Sequence, residues 1–196
     1  MDSLYNGGLT REKFLYYEIR IVSGLYLQGI SREEIINRII EDNLFQFPTE
    51  RMIKSIAGTC FKRLEALDSE ELVYQLANAP ADAAKQVNLY AMMKYNRIVW
   101  DFMTKIIAEK FRTQDFELSA KDVNMFFIGL QEQNDSVASW SDTTIKKIKQ
   151  VLIRTLVECD YLDSFRSTQL KPVAIDRKST RLNSSHPTTS RMPSSA

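Results

Sequence analysis

The sequence contains very few of the residues on which most enzymes depend. Its only histidine is His186, and its only cysteines are Cys60 and Cys159. Because the first 185 residues have no imidazole, that part of the chain lacks the commonest general base and metal ligand. The two cysteines fall on apolar faces of predicted helices at a spacing that matches no metal motif, which favours buried, reduced thiols. We therefore predict a protein that is not an enzyme and needs no cofactor.

Glycine and long apolar runs are also scarce. The pair Gly7-Gly8 is not followed by Gly-Lys-Ser/Thr and precedes no strand pattern, which argues against a phosphate-binding loop. No apolar run approaches the ~20 residues that a membrane-spanning helix needs. The first residues also lack the basic and apolar segments of a signal peptide. We expect a cytoplasmic protein with no membrane partner and no small-molecule substrate.

The patterns that are present are helical. The hydrophobic content is 44% and the charged content 26%, as in an ordinary globular protein. The predicted fold is all-α, with an N-terminal helix-turn-helix, long central helices and a C-terminal winged-helix-like unit that ends in a small hairpin. The corresponding boundaries are residues 1–67 for the helix-turn-helix, 68–118 for the central helices and 119–176 for the winged-helix-like unit.

Three helices are predicted in the N-terminal part. Thr10 can cap a helix that runs to about Gln28, where Gly29 would end it. Ser31 and Glu34 have the spacing of a capping box and open a short second helix. After a connector, Thr49 caps a third helix. A short second helix followed by a basic third one is typical of the three-helix core of helix-turn-helix DNA-binding proteins.

The third helix, residues 49–64, has one apolar and one basic face. At 100° per residue, Arg51, Lys54 and Lys62 fall within about 80° of each other, opposite the apolar side chains. We interpret this face as a surface that docks on the phosphates of nucleic acid. Arg63, about 100° from the centre of this group, is a further candidate. The alternative is that the charged face is merely solvated.

The central part is predicted to be a helix through about Asn78, capped by Ser69, and then a long helical tract. That tract starts near Ala79–Asp82 and reaches about Phe111. It has more apolar surface than a single stripe requires, so it should lie at the centre of the core. A kink near Tyr95-Asn96 is one possibility that the sequence leaves open.

The C-terminal part repeats the pattern of capped helices. Ser119 and Asp122 begin one helix, and Ser141 caps a second that runs to about Glu158. Residues 160–173 are predicted to form a small hairpin. Two helices followed by a hairpin is the order of a winged helix.

In that arrangement, basic residues occupy the positions of a second DNA contact. Lys147 and Arg154 would lie on the recognition helix, and Arg166 at the tip of the wing. The alternative is that Lys147 and Arg154 only solvate a helix.

Residues 177–196 differ in composition from the rest of the chain. They have almost no apolar residues and no periodicity, so we expect a disordered tail. The segment resembles translated sequencing-adapter read-through, which would make it non-native; the alternative is a basic, serine-rich arm that contacts DNA. The tail carries four basic side chains and no acidic one, so the overall charge of +1 leaves −3 for residues 1–176. Nucleic-acid binding would therefore depend on local patches rather than on net charge.

Several short segments resemble the BrxA family, the small all-helical component of prokaryotic BREX phage-defence systems. The similarity runs from about residue 9 to 175, and the segments that carry it are Glu18–Leu25, Gly29–Ser31, Asn43–Gln46, Cys159–Leu162 and Leu170–Pro172. The resemblance implies a NusB-like helical fold, binding of double-stranded DNA within a defence operon, and other BREX proteins as partners.

Two further functions compete with duplex DNA binding. The fold resemblance also suggests an RNA-binding antitermination-like factor, for which Tyr16 and Phe165 are the exposed aromatic residues that could stack on bases. A protein–protein assembly subunit is the third possibility, and Phe45, Phe47 and Trp140 would then be its anchors.

Overall fold

The computed structural model describes residues 5, 7–11 and 13–173, and its regular elements in these ranges are all helical. The predicted tail, 177–196, lies outside the described residues. After a 3₁₀ turn (Gly7–Arg11), the helices are α1 (Tyr16–Tyr26), α2 (Arg32–Glu41), α3 (Glu50–Leu67), α4 (Glu70–Asn78), α5 (Ala81–Tyr95), α6 (Arg97–Phe102), a π-helical turn (Met103–Ile107), α7 (Ala108–Arg112), α8 (Ala120–Gln133), α9 (Asp135–Ala138) and α10 (Asp142–Glu158).

Five of the six predicted N-terminal capping residues are confirmed. Each of these side-chain oxygens accepts a hydrogen bond from a backbone N–H in the first turn, at 3.2–3.3 Å, and so satisfies a donor that the helix leaves unpaired. At α8 the bond is reciprocal, because Asp122 also accepts from the backbone N–H of Ser119 at 2.7 Å. The capping residues are Ser31, Thr49, Ser69, Ser119 and Ser141.

The first helix is shorter than predicted. Thr10 does not cap it; the Thr10 hydroxyl donates to the carbonyl of Gly7, and α1 begins only after Leu15, which has a left-handed φ of 56°. This break sends two neighbouring apolar side chains in different directions, since Phe14 and Leu15 are buried in different cores. At the other end, Gly29 has a φ of 73°, as expected for a glycine that follows a helix.

The long central tract is interrupted at the suggested kink. Asn96 has an extended backbone between α5 and α6, and its side-chain oxygen accepts from the N–H of Ile98 at 3.0 Å. Asn96 therefore both ends α5 and caps α6. One turn later the buried carboxylate of Asp101 accepts from Tyr5 and pairs with Arg97 at 3.1 Å and Lys105 at 3.2 Å.

Two clusters of buried apolar residues form the interior. The N-terminal core is made mainly by α1–α4, and the C-terminal core mainly by α6–α10. Helix α5 contributes to both, through Ala91 to the first and through Leu89 and Met92 to the second. Phe14, ahead of α1, also belongs to the C-terminal core, so the N-terminal segment crosses between the two.

The predicted hairpin at residues 160–173 is wrong. Residues 160–166 form turns and bends, and the antiparallel bridge in the described part of the chain joins Gln169 to Glu117. Backbone bonds on either side run from Leu118 to Thr168 and from Leu170 to Phe116, each at 2.7 Å. Both leucines are buried in the C-terminal core.

Candidate nucleic-acid interface

Helix α3 separates its apolar and basic side chains as predicted. Ile53, Ala57 and Phe61 are buried, whereas Arg51, Lys54 and Lys62 are all exposed on the other side. Arg51 and Lys62 are eleven residues apart, which corresponds to about 16 Å along a helix axis. Neither has an ion pair with a carboxylate in the described part of the chain. We call the exposed cations Arg51, Lys54 and Lys62 the α3 patch.

Lys54 differs from the other two because it has an acidic neighbour. Its ammonium lies 3.3 Å from the carboxylate of Glu50, one turn earlier, and the side chains are 57% and 66% exposed. Such an exposed pair contributes on the order of 0.3–0.5 kcal/mol, so an arriving phosphate can displace Glu50. Even so, Glu50 reduces the positive potential at this end of the helix.

A cation from α2 also lies against α3. The Arg32 guanidinium is 4.8 Å from the centroid of the Phe61 ring and 3.8 Å from Glu65. A Cβ added at Gly58 would lie 3.7 Å from an Arg32 nitrogen. Arg32 therefore lies in the space beside Gly58. The sequence pattern of α3 could not reveal this residue, because it belongs to another helix.

Arg63 is not part of this surface, which corrects its selection from the sequence. Its side chain is fully buried, and its two terminal nitrogens donate to the carbonyl of Phe14 at 2.7 Å and that of Lys13 at 2.5 Å. Asn88 of α5 donates to the same Phe14 carbonyl at 2.7 Å. The non-helical stretch before α1 leaves these carbonyls without helical partners, and Arg63 supplies donors to them.

A second group of cations lies on α10 and in the segment that follows it. Lys147, Arg154 and Arg166 are all exposed, as predicted. Lys147 and Arg154 are seven residues apart, so they lie on nearly the same line of the helix. Arg166 follows α10 in the segment of turns that replaces the expected wing. We call Lys147, Arg154 and Arg166 the α10 patch.

An open groove of about 650 Å³ lies beside this patch. Its walls are the start of α8, one side of α10 and residues 165–168. Arg154 and Arg166 line the groove, and Lys147 does not. Two further lysines, Lys146 and Lys149, which were not among the predicted DNA contacts, also line it. The three lysines among residues 146–149 of α10 were the sequence feature that could have indicated these two residues.

The aromatic residues proposed for the two rival functions have different environments. Tyr16 is only half-buried, but its hydroxyl accepts from Arg20 at 2.8 Å, whereas Phe165 is exposed and lies under the Arg154 guanidinium. Phe45 is buried in the N-terminal core, and Phe47 and Trp140 pack against the cores. Phe45 is thus unavailable as an anchor for a partner protein.

The cysteines are buried, and the described residues contain no candidate metal site. Cys60 and Cys159 are both buried, and burial raises the pKa of Cys159 well above its ordinary value. A thiol with such a pKa stays protonated and is a poor nucleophile. The described chain contains no group of three acidic, histidine or cysteine side chains that could hold a metal ion. None of its described helices has the length and apolar character to cross a membrane.

Comparison with known proteins relates this architecture to one family. A model of the BrxA family matches residues 3–186. Among curated proteins, "BREX protein BrxA" of Bacillus cereus (strain H3081.97) is 35% identical over 161 residues, which cover 82% of this chain and 80% of the relative. The protein of the same name from Escherichia coli O9:H4 (strain HS) is 24% identical and covers 88% and 80% of the two chains.

A solved structure supports the fold. The crystal structure of an uncharacterized protein from Magnetospirillum magneticum superposes with a TM-score of 0.74, at 22% identity, and covers 90% of each chain. At 22% identity, this similarity supports a shared fold and nothing further. The family match and the identity to the Bacillus protein establish more: the chain belongs to the BrxA family.

Proposed function

We propose that this chain is a non-enzymatic component of a BREX phage-defence system that binds double-stranded DNA and meets other BREX proteins. The observation that carries the proposal is the presence of two groups of exposed cations, one on α3 and one on and directly after α10. These are the α3 patch on the N-terminal core and the α10 patch on the C-terminal core. Membership of the BrxA family supports the place within BREX.

Phosphate contacts would supply most of the affinity. Exposed arginine and lysine side chains without acidic partners release counterions when they neutralise phosphates, and the resulting affinity falls steeply with salt. Arg51, Lys62 and the three cations of the α10 patch have no ion pair with a carboxylate in the described chain.

Sequence selectivity should be weak at α3. The helix contains no asparagine or glutamine, the residues that read adenine edges in the major groove. Its exposed arginine and lysines can contact phosphates of any sequence. We therefore expect similar affinities for unrelated duplexes.

A salt titration tests the proposal. Binding of a labelled duplex is followed by fluorescence anisotropy at several salt concentrations for the wild-type chain and for the double variant Arg51→Ala/Lys62→Ala. Loss of two phosphate contacts should reduce the slope of log K against log salt by about two. The variant Lys147→Ala/Arg154→Ala should have a similar effect through the other patch.

A matched control removes the same charge elsewhere. Arg112 and Lys171 belong to neither patch; both are exposed and pair with Glu109 and Asp163. The variant Arg112→Ala/Lys171→Ala also lowers the charge by two but should leave the slope unchanged. All variants retain residues 177–196, so any contribution of that basic segment is common to them. Equal slopes for the α3 double variant and the wild type would contradict the role of α3.

A further inference from the structure

The groove beside α10 has a strongly one-sided charge. Four of its lining side chains are cationic, and none of its lining residues is acidic. Lys149 is held in place by Asn124, which accepts from its ammonium at 2.7 Å, and it also lies 5.2 Å from the centroid of the Phe127 ring. Because the residues 1–176 carry a net negative charge, this concentration of positive charge is local. The groove is thus suited to an anionic ligand.

One wall of the groove is an exposed aromatic ring. Phe165 is 59% exposed, although apolar side chains of this size usually have most of their surface buried. The Arg154 guanidinium lies 5.6 Å from the centroid of the ring, so a cation and an aromatic face stand side by side. Sites that bind single strands usually combine an aromatic ring that stacks on a base with cations that bind the phosphates.

The shape of the groove distinguishes between forms of nucleic acid. A duplex keeps its bases stacked inside and would offer this concave wall only its backbone, which makes no use of Phe165. A single strand can place an unstacked base in a cavity of about 650 Å³ while its phosphates stay at the rim. The chain's own residues 177–196 are a poor occupant, since they carry four basic side chains and no acidic one.

We propose that this groove binds single-stranded nucleic acid, with one base stacked on Phe165 and the flanking phosphates held by Arg154 and Arg166. The inference rests on the proposed nucleic-acid function and extends it to a second form of ligand. A single strand and a duplex would share Arg154 and Arg166, but only the single strand would use Phe165.

The test compares labelled dT and rU decamers with a labelled duplex, by anisotropy, on the full chain. Phe165→Ala should weaken binding of both decamers about tenfold, as expected for the loss of one stacked base, and change duplex binding less than about twofold. Phe165→Trp should restore decamer binding. Its indole fluorescence should also be quenched by the decamers. Because Phe165 is exposed, these substitutions should not unfold the protein.

Met125, on α8, is 55% exposed and does not line the groove, so Met125→Ala should bind all three ligands like the wild type. Decamer binding that is absent, or unchanged by Phe165→Ala, overturns the inference. If an acidic amphipathic Leu/Glu peptide binds instead and loses affinity in Phe165→Ala, the groove is a protein-docking site.

The two proposals fail separately. The variant Arg51→Ala/Lys62→Ala should weaken duplex binding and leave decamer binding unchanged, because the α3 patch is not part of the groove. Failure of the decamer experiment with a normal duplex result removes only the groove inference. An unchanged duplex result in the α3 variant, with decamer binding that depends on Phe165, removes only the role of α3.

Discussion

Replacement of Arg63 by methionine is expected to destabilise the protein and to leave its affinity for DNA unchanged. Hydrogen bonds from a charged group contribute about 1.5–3 kcal/mol each. Among the described residues, Arg63 donates to the backbone carbonyls of Phe14 and Lys13, but the expected loss is smaller than the sum of the two bonds, for two reasons. Phe14 keeps a bond from Asn88, and the other carbonyl belongs to the exposed residue Lys13.

We therefore estimate a cost of about 2–4 kcal/mol for Arg63→Met, since methionine retains most of the apolar stem. For a chain of this size, each kcal/mol lowers Tm by roughly 2–4 °C, so the expected fall is roughly 5–15 °C. The neighbouring residue provides the comparison. Lys62 is exposed, and Lys62→Met should change the free energy of unfolding by less than about 0.5 kcal/mol.

The assay measures both properties of each variant. Thermal unfolding is followed by circular dichroism, and duplex binding by anisotropy at a temperature where both variants are folded. Arg63→Met should have a low Tm and a normal salt slope, whereas Lys62→Met should have a normal Tm and a slope reduced by about one. An Arg63→Met protein with an unchanged Tm, or with a reduced slope, would refute the structural role of this arginine.

Three further predictions concern single side chains. Burial opposes ionisation of Asp122, but hydrogen bonds from Ser119 and Lys110 outweigh this effect and lower the pKa of Asp122. The ionised carboxylate therefore stabilises the fold fully above the unfolded pKa of about 3.9, and this stabilisation is lost as the pH falls below that value. Urea midpoints measured from about pH 5 to 3 should fall less steeply in Asp122→Asn than in the wild type. Glu50→Gln frees Lys54 and should raise duplex affinity a few-fold in anisotropy titrations, and an unchanged Kd would count against Lys54 as a contact. Asn96→Ala removes the acceptor for the Ile98 N–H and should lower the free energy of unfolding by about 1 kcal/mol in a urea titration, whereas Asn96→Asp should preserve the cap.

Local features of the fold could be predicted from the sequence. The four serines and one threonine that cap helices accept hydrogen bonds from backbone N–H groups within the next three residues. A short stretch of sequence therefore contains both partners of each bond. The same holds for the apolar face of α3, which follows from helical periodicity. The all-α class could be predicted for this reason.

Features that depend on distant parts of the chain could not be predicted. The segment around Gln169 pairs with Glu117, more than fifty residues earlier, and no local pattern distinguishes this from a hairpin. The break at Leu15 has a similar cause, since it serves two cores that meet only in the folded protein. Arg63 was misplaced because a position about 100° from the basic face can be either exposed or buried, depending on what packs there.

The same dependence on distant contacts explains why net charge is a poor guide to the candidate interface. Many of the described cations are neutralised by acidic partners, some of them far away in sequence: Lys85 pairs with Asp160 at 2.7 Å, and Lys110 lies 2.8 Å from Asp115 and 3.2 Å from Asp122. The described cations that have no ion pair with a carboxylate include Arg51 and Lys62 on α3 and the cations on and directly after α10. Salt screens the interaction between exposed charges beyond a Debye length of about 8 Å. A phosphate backbone at the protein surface therefore responds mainly to the nearby cations and little to the net charge of residues 1–176. Salt-dependent binding should accordingly be lost through substitutions at these few positions and not through an equal change in charge elsewhere.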